Sequence, residues 1–120
     1  RTVTGRVRVL SEGTHVNRGP MAGGEAASSG ASALFQVGGV AIAVISNHVE
    51  PHDLAAFEAV GLAPDRLGLL MLKSRVHWRA GLEKLAHAIV ECNGTGVCTS
   101  DYAAMNFKKL RRPIYPLDAM

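Results

Sequence analysis

Gly38-Gly39-Val40-Ala41-Ile42-Ala43-Val44-Ile45-Ser46 is the stretch on which the fold turns. A Gly-Gly pair between two β-rich runs, Ser32 to Val37 and Val40 to Ser46, predicts a hairpin, because tight hairpin turns need positive φ. The second run is apolar on both faces, and such a strand is expected in the middle of a sheet covered on both sides. Downstream, Asp53 is placed to cap a short helix from Leu54 to Val60, with Gly61 ending it. Pro64 follows, and then Leu67-Gly68-Leu69-Leu70-Met71-Leu72 is a second fully apolar run. Strand, helix and strand in that order predict a right-handed parallel unit. The expected class is therefore α/β: a mixed sheet with a β-hairpin and a parallel βαβ unit, helices packed on the sheet.

Working outward, Thr2 to Leu10 alternates, with Val3, Val7 and Val9 on one side and Thr4, Arg6 and Arg8 on the other. That is the pattern of a half-buried strand. Glu12-Gly13 offers a turn from which Thr14-His15-Val16 pairs back briefly. Asn17 to Gly30, rich in Gly, Ala and Ser, is expected to be a long loop, a kind that is usually functional or mobile. It lacks the Gly-Lys-Ser/Thr ending of a phosphate loop and any dinucleotide fingerprint. Ser74 is placed to cap a longer helix from about Arg75 to Cys92. Trp78, Leu82, Leu85 and Ile89 form its apolar stripe, with Arg75, Arg79, Glu83, His87 and Glu91 on the solvent side. A short strand is expected around Val97-Cys98-Thr99 and one helical turn after Asp101. The two prolines of Arg112-Pro113-Ile114-Tyr115-Pro116-Leu117-Asp118 predict an extended tail.

With 120 residues, 48% of them hydrophobic and 19% charged, the chain has the make-up of one ordinary globular domain. No run approaches the length of a membrane span. Cys92 and Cys98 cannot frame a disulfide-dependent fold and lack a zinc-knuckle spacing, which points to reduced thiols in a cytoplasmic protein. The start at Arg1-Thr2-Val3, inside a β-like pattern, has the look of a piece of something longer.

Open α/β sheets bind ligands beyond the carboxyl ends of their parallel strands. The first apolar run delivers Ser46, Asn47 and His48 to that edge; the second delivers Lys73 and Ser74, followed by His77. Lys73 there suits a carboxylate or phosphate as a point charge, and the free N–H groups beginning the Ser74 helix favour an anion. The bland alternative makes Ser74 a cap and Lys73 a solvated side chain. His48 and His52 are four apart, but Pro51 between them prevents the regular helix that a zinc pair of that spacing uses. No complete metal site and no Ser/His/Asp or Cys/His catalytic set is expected in this chain. The cluster Lys108, Lys109, Arg111 and Arg112 lacks interleaved aromatics and any nucleic-acid module, so a solvated or docking strip is the expectation over nucleic-acid binding.

Several of these segments together resemble a known family. Gly19-Pro20-Met21, Gly38-Gly39-Val40, Lys73-Ser74 with His77-Trp78-Arg79-Ala80, and the tail Arg112 to Asp118 are similar to the carboxy-terminal domain of the MlrC (microcystinase C) family, from about Val3 to Asp118. The chain departs from the family pattern at Asn47 and His48, where basic residues are common, and at Trp78, where phenylalanine is usual. The resemblance implies a bacterial hydrolase classed with metallopeptidases, whose founding member degrades linearised microcystin. It implies a zinc-binding amino-terminal domain as partner, holding all the metal ligands, so zinc is expected for the full-length protein and none in this fragment. The mechanism implied is metal-activated water attacking a peptide or amide bond. This fragment alone would be inactive. Lys73, Ser74, His77, Arg79, Asn47 and His48 are its candidate substrate-binding residues, for a small peptide or amide substrate. A non-catalytic docking or oligomerisation module, marked by an exposed apolar face and open to homo-oligomers, is the second reading. Anion or nucleic-acid binding through the basic tail is the third.

Overall fold

The computed structural model describes residues 2–92, 94, 99 and 101–119. The chain divides into two compact units, Arg1–Ala88 and Ile89–Met120. The expected Val97-Cys98-Thr99 strand lies outside the described residues, except for Thr99.

The first unit holds five strands. β1 (Arg6–Ser11), β4 (Ser32–Val37) and β5 (Val40–Ile45) form an antiparallel sheet in the order β1-β4-β5. β2 (Thr14–Val16) and β3 (Ala26–Ser28) form a second, two-stranded antiparallel sheet. The hairpin around Gly38-Gly39 is present, with Val37 opposite Val40 and Gly38 at φ 56°. The capped helix is also present, as α1 (Leu54–Glu58). Past its end Gly61 takes φ 74°, and the Leu62 N–H returns to the Phe57 carbonyl, closing the helix as a left-handed cap does.

The parallel βαβ unit is not present, and the α/β class with helices packed on the sheet is corrected to a mainly β architecture of two antiparallel sheets with few helices. Leu67–Leu72 belongs to no strand or helix, bends at Gly68 and has no ladder partner among the described residues, and Leu69 and Met71 are almost fully exposed. β5, expected in the centre of a covered sheet, is an edge strand exposed along its whole length. The physical reason is common to both. An apolar run specifies that something must cover it and carries no information about where the cover comes from.

The long helix expected from Arg75 to Cys92 reduces to α2 (Arg79–Leu82) and a 3-10 turn, Glu83–Leu85. Of its apolar stripe only Leu82 is buried, while Leu85 and Ile89 are exposed. A short helix without a surface for its apolar face is marginal in water. Thr14–Val16 pairs with β3 instead of β1, so part of the expected Gly/Ala/Ser loop is a strand. The tail is not extended either. Asp118 accepts hydrogen bonds from the Arg112 guanidinium and from the Ile114 N–H (2.7 Å), folding residues 112–118 into a turn.

The buried apolar side chains are Leu34, Ala55, Phe57, Val60 and Leu82. Asp53, only 1% exposed, sits among the buried residues. No helix of the described residues is long and apolar enough to cross a membrane.

Candidate functional site

The candidate site grows from the loop that leaves β5. Asn47 fixes the start of that loop: its backbone N–H donates to the Ser29 carbonyl (3.0 Å) and its side-chain amide to the Ser28 carbonyl (3.2 Å). Three residues on, Glu50 reaches across to the segment before α2. Its Oε2 accepts from the Ser74 hydroxyl (3.1 Å) and pairs with His77 Nδ1 (2.7 Å). The carboxylate fixes the imidazole's orientation and places its proton on Nδ1, as second groups do for functional histidines. His77 Nε2 has no protein partner among the described residues, and the side chain is 54% exposed.

Behind this cluster lies a buried joint. Asp53 Oδ1 accepts the Ala55 N–H (2.8 Å), and Oδ2 accepts those of Arg18 (2.8 Å) and Gly19 (2.5 Å). Burial alone would raise the Asp53 pKa. The three N–H donors and neighbouring His52 outweigh it and hold the carboxyl below its ordinary value. Gly81 of α2 passes so close that an added Cβ would stand 2.5 Å from the His52 carbonyl oxygen, which is why this helix position is glycine. The joint thus ties the residue 17–19 loop, the residue 50–53 loop and α2 together. Two buried polar atoms there and nearby in sequence, Asn17 Oδ1 and His52 Nε2, have no hydrogen-bond partner.

The six sequence-expected residues fall into different circumstances. Ser74 and His77 are brought together by Glu50. Lys73 and His48 are exposed and make no hydrogen bond or ion pair among the described residues. Asn47 is a clamp on the loop. Arg79 pairs with Glu83 and lies over the Trp78 ring, 4.9 Å from its centroid. The segment after β5 does meet the Ser74 segment, but through Glu50 and without parallel strands. Sequence reading missed Glu50. No spacing signal marks it, since its contact with Ser74 spans twenty-four positions.

Ser74 and His77 bond to Glu50 and not to each other, so no nucleophile–base relay is assembled. Among the described residues no three His, Cys, Asp or Glu side chains gather to hold a metal ion. Glu50 and His77 offer two ligating groups, already satisfied by one another, which does not fit a zinc site. What the cluster provides is an oriented, outward imidazole nitrogen with a free cation, Lys73, one residue from its serine.

Fold and site together define a β-rich chain that presents an oriented polar cluster, with no complete catalytic set among the described residues. The chain belongs to the MlrC C-terminus family, whose sequence model matches residues 1–109. No curated protein and no solved structure matches it.

Proposed function

We propose that this chain is the carboxy-terminal domain of an MlrC-like zinc-dependent hydrolase that acts on peptide or amide bonds in the cytoplasm. In this reading the zinc ligands belong to an amino-terminal domain, and this domain positions the substrate. The observation that carries it is the Glu50–His77 pair, which fixes an imidazole within the family motif and leaves Nε2 free to bond a substrate. Lys73, without an acidic partner, would hold a substrate carboxylate. Both act by orientation, which is where a group outside the reacting centre contributes to rate.

The test is made in the full-length protein with a panel of linear peptides. Lys73→Ala and His77→Ala should each raise KM about tenfold, the loss of one hydrogen bond to a charged group, with zinc content unchanged. Unaltered KM and kcat in both variants would remove the positioning role.

A second reading, docking, is favoured by one sheet face. The antiparallel register puts Leu10, Ala33 and Val44, then Val7, Phe35 and Ile42, then Val37 and Val40 on the same side. None is charged, and Leu10 (78%), Val40 (61%) and Val7 (52%) are the most exposed. The occupant we assign is the amino-terminal domain, for which such an uncharged face is suited. Threonine at Leu10 and Val44 should weaken association between the two parts expressed separately. Equal association would sink the reading.

A further inference from the structure

The second unit carries a surface that neither the polar cluster nor the sheet face accounts for. Residues 112–118 form a turn closed by the two-pronged Arg112–Asp118 pair and by the bond from the Ile114 N–H to Asp118. The turn presents Ile114, Tyr115 and Leu117 as one wall of an open cup, and Tyr102, Phe107 and Leu110 supply the other. The cup encloses about 150 Å³, the size of apolar cavity that admits a benzene ring. Its lining is almost wholly apolar.

The segment that carries two of the lining residues is cationic. Lys108 and Lys109 lie between the lining residues Phe107 and Leu110, and Arg111 follows directly. All three are exposed, and among the described residues no acidic side chain pairs with them. Asp118, the acid adjacent in sequence to the cup, is already committed to Arg112. A pre-formed apolar cup beside three unneutralised cations is complementary to one large apolar side chain flanked by carboxylates.

We propose that this cup is a docking site for an acidic peptide segment of a partner protein, anchored by one phenylalanine, leucine or similar side chain. The anchor fills the space between Tyr115 and Phe107, and its flanking carboxylates face Lys108, Lys109 and Arg111. The Arg112–Asp118 bonds close the turn that carries this wall, and a wall held before binding needs less ordering on docking.

Titration of the whole chain with a short acetylated peptide, one phenylalanine set among glutamates, tests this by tyrosine fluorescence and by NMR. The expected result is saturable binding that perturbs Tyr102 and Tyr115 and weakens about tenfold between low and physiological salt. Replacing the phenylalanine by serine, or the glutamates by glutamines, should each weaken it at least about tenfold. The exposed triple variant Lys108→Glu, Lys109→Glu, Arg111→Glu should do the same while unfolding at the wild-type temperature. Tyr115→Ser should reproduce the loss of the phenylalanine without changing the salt dependence. Equal binding of the phenylalanine and serine peptides would overturn the proposal. So would tighter binding of a generic DNA duplex indifferent to Tyr115→Ser, or no binding at millimolar peptide.

Discussion

Around Asp53 a single buried carboxylate gathers three backbone N–H groups from two segments of chain, whereas along Val40–Ile45 a whole hydrophobic strand lies open to water. The Asp53 carboxylate is satisfied within the chain. The apolar strand is satisfied only on one edge, by its ladder with β4. Val40, Ile42, Val44 and Ile45 are 38–61% exposed, so covering each fully would contribute about half of the roughly 1.5–3 kcal/mol that complete burial gives. The contrast is between a polar junction closed within the chain and an apolar strand whose outward side chains remain uncovered, beside the buried core of Leu34, Ala55, Phe57, Val60 and Leu82.

The largest effect should therefore come from the joint. Asp53→Ala removes the N-cap and takes the acceptor from the part-buried N–H groups of Arg18 and Gly19. A cap is worth about 1 kcal/mol and each of the two lost hydrogen bonds about 0.5–1.5 kcal/mol, so a total loss of about 2–4 kcal/mol is expected in urea unfolding. Asp53→Asn keeps one acceptor oxygen and should fall between. The charge also sets a pH dependence. The folded Asp53 pKa lies below its ordinary value of 3.8, so the stabilisation is fully present above 3.8 and is lost as pH falls through the lower folded value. Asp53→Asn should lack that acid limb. An Asn variant with the same acid limb as wild type would show that the joint is not what holds the unit.

The sheet face breaks the comparison from the other side. Val44→Thr with Leu10→Thr keeps the strands' shape and touches exposed positions, so the isolated chain should change by no more than about 0.5 kcal/mol. The same pair should weaken association with the amino-terminal domain, as measured by titration calorimetry. A large loss in the isolated chain would mean that this face is covered within the chain after all, and the contrast with Asp53 would vanish.

What could be read in the sequence follows the same division. The hairpin around Gly38-Gly39, the Asp53 cap and the Gly61 stop were legible because each depends on backbone preferences within a few residues. Leu67–Leu72 was not legible as an unpaired run, since its composition states a need for cover and not its source. The stretch after Ser74 carries a helical stripe, yet only Arg79–Leu82 is α-helical and Leu85 and Ile89 find no surface, which periodicity cannot report. β3 escaped notice because Ala26-Ala27-Ser28 has little strand preference; pairing with Thr14–Val16 supplies it. In the site, Ser74 and His77 were legible from the motif, while Glu50 was not, because a contact between distant loops leaves no local pattern.

The smallest effect is expected in Leu67–Leu72, and it is the most informative about the apolar side of the contrast. Leu69 is 87% exposed and Met71 is 92% exposed, so Leu69→Ser and Met71→Ser remove almost no buried surface from the isolated chain. Each should shift its stability by less than about 0.5 kcal/mol. The backbone from Gly68 to Leu72 has no ladder partner among the described residues, so its amides should exchange with solvent far faster than that of Leu34 in the central strand. Joining this chain to the amino-terminal domain proposed above gives the decisive arm. Protection appearing at Gly68–Leu72 and along Val40–Ile45 together would mean that one partner covers both runs and spends the stability that the isolated chain leaves exposed. Protection at Val40–Ile45 alone would separate the two runs and make the Leu67–Leu72 segment a linker with hydrophobic side chains. Strong protection at Gly68–Leu72 already in the isolated chain would contradict the exposed arrangement directly.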